Sequence, residues 1–174
     1  AGVITLLARN GKLVAFQPYG YRDLEKRLPM ERATICRAYS MSKIITCAGT
    51  LILLEEGRVN LDDPVAKYLP ELKDMKVWTG GTQAAPQLEP LKRPITIKHL
   101  LTHTSGLMYD FAGDDELTKL WRSADLWNGP GLNGFVATFG QLQIKHQPGE
   151  VWTYGVNQDV LGALIERMAG SDTG

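Results

Sequence analysis

The chain has 174 residues, about the length of one domain or a large part of one. Nineteen basic and nineteen acidic residues leave no net charge, which argues against a nucleic-acid surface with its basic stripe. With 44% hydrophobic and 22% charged residues, the composition is that of a folded globular chain and not of a disordered one. Val3 to Arg9 and Lys12 to Phe16 are two apolar, β-rich runs around Asn10-Gly11. That pair tolerates positive φ at both positions, so the segment is predicted to be a hairpin with a type I′ turn. Ser42 to Glu56 lacks proline and repeats Ile45, Ala48, Gly49, Ile52 and Leu53 at helical spacing, with Gly57 as its stop. Its most apolar part, Ile44 to Leu54, is interrupted by Thr46, Gly49 and Thr50. That run is far short of the ~20 residues that cross a bilayer, so no membrane helix is expected. The first residues have neither the basic start nor the apolar block of a signal peptide, which by itself says little about the compartment; a cytoplasmic location is the expectation, with a periplasmic or secreted one as the alternative.

Further along, Asp63 and Pro64 read as the cap and first position of another helix. Gly80 to Pro94 reads as a loop, and Thr96 as the cap of a helix that ends near Gly106. Phe135 to Leu142 and Val156 to Ala169 read as helices, separated by the turn Gln147-Pro148-Gly149. Leu107 to Gly134 carries no clear pattern. One hairpin followed by helices makes the fold class α+β. Cys36 and Cys47 belong to no C-x-x-C or His/Cys cluster; two buried thiols are expected, with no metal and no cofactor. His99 and His103 stand four apart, but with no third ligand nearby they read as structural.

Ser40-Met41-Ser42-Lys43 is an S-x-x-K pattern, which a chain of this length contains about once by chance. Its context adds to it. Ser40 follows an extended segment and opens the most apolar helix, where the helix dipole favours developing negative charge. Lys43 lies about one turn further on the same face, and a weakly acidic serine needs such a base. A serine cap beside a solvated lysine is the competing reading of the same spacing.

The words around these residues carry a resemblance. Tyr39 to Thr46 with Leu53 to Val65, then Ile95 to Leu107 with its Leu101-Thr102-His103-Thr104-Ser105-Gly106-Leu107 core, then Pro148 to Val156, resemble three signatures of the serine β-lactamase and penicillin-binding-protein superfamily. They are similar to its class C-like branch, and closest in character to the family VIII carboxylesterases. The resemblance implies a β-lactamase/transpeptidase-like fold, an antiparallel sheet flanked by helices plus an all-helical region. Residues 1–57 would begin the α/β domain and residues 58–174 would form the mainly helical region. It also implies that Ser40 is the nucleophile, Lys43 its proton partner and Tyr154 the second acid/base group. Placed in a partly dry cleft, a lysine cation lowers a neighbouring tyrosine's pKa and burial lowers the lysine's own.

Tyr109, Trp121, Trp127 and Val156 are the candidate substrate-binding residues. Where β-lactamases and peptidases carry Tyr-x-Asn, this chain has Val156, with Asn157 one position late. That departure points to a carboxylesterase acting on short-chain esters, with a β-lactamase or D,D-carboxypeptidase as the alternative. An acyltransferase and a non-catalytic binding homologue remain as further readings. The expected partners are a small ester or β-lactam and the missing C-terminal portion of the same protein. The family's third motif and remaining strands would follow residue 174, so the fold is expected to be incomplete here. One flank of the Ser42–Glu56 helix is then expected to be exposed.

Overall fold

A computed structural model describes residues 1–128 and 131–170. The last residues of the expected helical region, 171–174, and residues 129 and 130 of the unassigned stretch lie outside the described residues. The chain divides into two compact units, Ala1–Ser40 and Met41–Gly174.

In the first unit, β1 (Gly2–Arg9) pairs antiparallel with β2 (Lys12–Asp23), and a short β3 (Leu28–Pro29) pairs with the end of β2. Asn10 and Gly11 have φ of 51° and 72°, the two positive values that a type I′ turn requires. No residue of this unit is buried. Val3, Leu6, Leu7, Leu13 and Val14 are all more than half exposed, so the hairpin's apolar residues face solvent. Cys36 is exposed as well, which corrects the expectation of two buried thiols; it lies in an irregular segment of a unit that has no interior. A 3₁₀ turn, Tyr39–Met41, leads into the helix that follows.

The second unit holds the whole core. Its first helix, α1 (Ser42–Glu55), ends as its sequence predicts. Gly57 takes φ +68° and its N–H bonds the Leu54 carbonyl, while the Arg58 N–H reaches Leu53; this is the paired closure of a Schellman motif. Thr50 and Leu53 are buried, and Gly49 lets α1 approach Ile165 of α5 (Asn157–Ala169) closely. The opposite flank, with Ile44, Ile45 and Ile52, is exposed, as expected. Asp63 does not cap a helix. Its carboxylate accepts from the Asn60 N–H, the Lys67 ammonium and the Tyr68 hydroxyl, and Pro64 stays extended with ψ 129°, so only a single 3₁₀ turn, Val65–Lys67, follows.

The predicted loop at Gly80–Pro94 instead holds the end of the first strand and the whole second strand of a hairpin, β4 (Lys76–Thr82) with β5 (Ala85–Pro90). Pro86 and Pro90 hid it, but in a two-stranded sheet a missing N–H can face the open edge at little cost. Val77 is buried and bridges to Ile144, which anchors the hairpin to the core. Thr96 caps α2 (Ile97–Leu101) in a reciprocal box: the His99 N–H bonds the Thr96 hydroxyl, and the Thr96 N–H bonds His99 Nδ1. His99 is therefore part of a helix start, and the helix stops at Leu101, short of Gly106. The unassigned stretch holds α3 (Glu116–Ser123), capped by Asp115, and the beginning of α4 (Gly131–Phe139). No helix among the described residues is long and apolar enough to cross a membrane.

Arg167 on α5 grips Glu71 through two nitrogen–oxygen contacts, the longer at 2.9 Å. This pair holds the Glu71 carboxyl below its ordinary value of 4.5, through the hydrogen bonds from Arg167 acting against burial. A carboxylate with a depressed folded-state pKa contributes stability above its unfolded value and loses it as the pH falls through the folded one. Arg167→Ala should therefore lower stability by about 1–3 kcal/mol at pH 7, the range of charge-assisted hydrogen bonds. Urea titrations repeated downwards from pH 5 should show the deficit shrinking below the Glu71 pKa to the remainder carried by the Arg167 bonds to Asn133 and to the Tyr68 carbonyl.

Candidate active site

Two loops meet beside α1. The segment His103 to Met108 runs alongside Gly149 to Val156, joined by bonds from the Gly149 N–H to the Thr104 carbonyl (2.7 Å), the Thr153 N–H to the His103 carbonyl (2.8 Å) and the Val156 N–H to the Met108 carbonyl (3.4 Å). Asn157 is fully buried between them, accepting from the Ser105 hydroxyl at 2.5 Å and lying 2.9 Å from His103 Nδ1. Gly155 allows the closest approach: a Cβ there would stand 2.4 Å from the Leu107 carbonyl oxygen. The first loop's small and hydroxyl residues thus act as a clamp that fixes the backbone on both sides of Tyr154.

Against this frame the structure brings together Lys43, Tyr109 and Tyr154. The Lys43 ammonium stands 5.5 Å from the centre of the Tyr109 ring and 5.2 Å from that of Tyr154, within the range of cation–π attraction. The two rings are 5.4 Å apart and tilted. Burial draws the Lys43 pKa down, but hydrogen bonds with Tyr109 and Tyr154 outweigh it, and the net direction is up from 10.5. This corrects the expectation that burial would prevail. Lys43 has acquired two oxygen partners and remains partly open to solvent, so its charge is kept.

Tyr109 is the junction of the site. Besides Tyr154 it stacks on Phe111 at 4.8 Å and on Trp127 at 6.2 Å, and its hydroxyl lies 3.5 Å from Asp159 on the first turn of α5. Burial pushes the Tyr109 phenol up, against the lowering pull of Lys43. Burial likewise raises the Asp159 carboxyl, with Lys43 opposing. The His103 ring lies 5.0 Å from that of Tyr154, tilted by 36°; burial and then the Lys43 charge hold its pKa low, which favours the neutral imidazole.

The remaining candidates separate. Trp127 is half exposed, with its indole N–H on Asp110 and its ring on Tyr109. Trp121 stands apart from this cluster. It is fully buried, donates to the Gln143 carbonyl and meets Phe139 edge-on, so its surroundings are core. Val156 is fully buried just before α5, and the late Asn157 is committed to His103 and Ser105. Ser40 is exposed and is the last residue of the first unit, one residue after Tyr39, whose φ of +46° is unusual for a non-glycine residue. No group of three metal-ligating side chains occurs among the described residues.

Asp159 and the ring contact of His103 are absent from the sequence reading. Helical periodicity does not single out Asp159, because Glu166, seven positions on, shares its face and gives that face the look of a solvated one. The His103 contact depends on its φ of +56°, which sequence does not reveal.

The family model described as Beta-lactamase matches residues 1–173. The acyltransferase mokF of Monascus pilosus is 38% identical over 181 residues, covering 98% of this chain and 42% of that protein. Esterase EstB of Burkholderia gladioli is 32% identical over 177 residues, covering 97% of this chain and 41% of its own length. Among solved structures, EstCE1, described as a hydrolase with promiscuous acyltransferase activity, superposes with a TM-score of 0.82 at 29% identity, over 98% of this chain and 42% of that one. The chain thus spans about two-fifths of the length of these relatives.

Proposed function

The chain belongs to the beta-lactamase family, with the β-lactamase/transpeptidase-like fold, and from that premise we propose that it carries the acylation machinery of a serine hydrolase acting on short-chain esters. Ser40 is the nucleophile, Tyr154 takes its proton, and the Lys43 ammonium offsets the negative charge that develops as the proton moves. The observation that carries this reading is the lodging of Lys43 against Tyr109 and Tyr154, because it joins the lysine of the S-x-x-K pattern to the tyrosine of the third signature. The burial of Val156 and the engagement of Asn157 favour an ester over a β-lactam or peptide, since no amide side chain at that position is left to hold the substrate's own amide. Acyl transfer to an alcohol is the second reading, favoured by the likeness to mokF and EstCE1.

A fluorophosphonate probe on the complete protein, followed by peptide mapping, should label Ser40, and Ser40→Ala should abolish labelling and p-nitrophenyl butyrate hydrolysis together. Labelling that persists in the variant sinks the assignment. Adding acceptor alcohols to the same assay then separates hydrolysis from transfer.

A further inference from the structure

Beside the lysine–tyrosine cluster lies a pocket of about 240 Å³, lined by Leu126, Trp127, Gly131, Leu132, Phe135 and Asp159. It is smaller than the roughly 300–1,000 Å³ of sites for drug-sized ligands. At about 30 Å³ per water-sized group, it has room for roughly eight such groups. Its walls are aliphatic or aromatic except for the one carboxylate. Two contacts tie it to the cluster through Tyr109, whose ring stacks on Trp127 and whose hydroxyl faces Asp159.

We infer that this pocket receives the acyl chain of the substrate, an uncharged chain of up to about eight carbons, and that Asp159 excludes acyl chains ending in a carboxylate while tolerating those ending in a hydroxyl. The inference rests on the esterase reading above and adds the substrate class. An acyl-enzyme keeps its acyl group through the second half-reaction while the alcohol departs, so a small pocket suits the group that stays. Apolar walls reward each methylene with about fourfold in kcat/KM. A second carboxylate beside Asp159 would place like charges in a poorly solvated site, and one of them would have to take up a proton or stay out.

The test uses p-nitrophenyl esters with the complete protein. Specificity should climb about fourfold per methylene from acetate to hexanoate and break near octanoate, and Leu132→Trp should move the break to shorter chains. Mono-p-nitrophenyl adipate should be turned over at least ~10²-fold more slowly than the hexanoate ester, and Asp159→Asn should narrow that ratio to within about tenfold. The ratio cancels any general effect of Asp159 on Lys43 or Tyr109. An active esterase with a flat chain-length profile, or an adipate ratio unmoved by Asp159→Asn, overturns the inference and leaves the esterase reading standing. If no ester is hydrolysed, the esterase reading fails, and the pocket is judged by tryptophan emission during titration with 1-hexanol and with hexanoate. A response to hexanol alone that disappears in Trp127→Phe supports the pocket, and an equal response to both or to neither overturns it.

Discussion

Lys43→Ala will lower kcat for p-nitrophenyl butyrate by ~10²-fold or more, and Tyr154→Phe by a comparable factor, the usual scale of acid–base catalysis. The double variant should be little worse than either one. The Lys43 ammonium lies 5.2 Å from the Tyr154 ring and is held charged by the two phenols, so in the proposed scheme each residue acts through the other. Independent groups would give multiplied losses of ~10⁴-fold, and that result would overturn the proposal that the Lys43 ammonium works through Tyr154. Tyr109→Phe provides the contrast. It keeps the ring that stacks on Trp127 and Phe111 but removes one of the two hydrogen-bonding oxygens that sustain the Lys43 charge. Its effect should appear first in the pH profile.

Gly106→Ala should be the most damaging small substitution. The residue has φ +87°, and a Cβ there would stand 2.0 Å from the His146 carbonyl oxygen, a backbone atom that cannot turn away. The left-handed backbone costs about 1–2 kcal/mol and forced overpacking about 1–3, so the expected loss is about 2–5 kcal/mol in a urea titration. Gly57→Ala separates the two contributions. Gly57 has φ +68° with nothing within 4 Å of its added Cβ, so only the backbone cost of about 1–2 kcal/mol applies. Equal losses at the two sites would contradict the close crossing of Gly106 and His146.

Local chemistry was the legible part of this fold. Asn10-Gly11, Gly57 and the Thr96 cap announced themselves because turn and cap geometry is decided by the residues that adopt it. The hairpin of β4 and β5 did not. Its strands carry Gly80, Gly81, Pro86 and Pro90, and the pairing is secured by Val77 meeting Ile144, a partner 67 positions away that no local pattern reveals. The site divides along the same line. Lys43 and Tyr154 were found through the words around them, and Tyr109 through its aromatic character. Trp121 shared that character and belongs with the core, because an indole with a carbonyl partner inside packs as well there as at a cleft. Asp63 was read as a cap and is instead the acceptor for three donors, since an aspartate before a proline serves either purpose.

The two thiols differ in reach, and each sits in a different unit. Cys36 is exposed in the first, whereas Cys47 is partly covered on α1, with the Gln158 amide 3.9 Å from its sulfur. A thiol reagent in excess therefore reads two clocks in one sample. The fast phase counts Cys36, and the slow phase reports how far the partial cover over Cys47, to which Gln158 of α5 contributes, holds the reagent off. Divided by the intrinsic rate of an open cysteine, that slow rate measures the protection that the α1–α5 contact gives the thiol. The seam on which Lys43 is carried can thus be followed in the folded chain through a thiol that it already possesses.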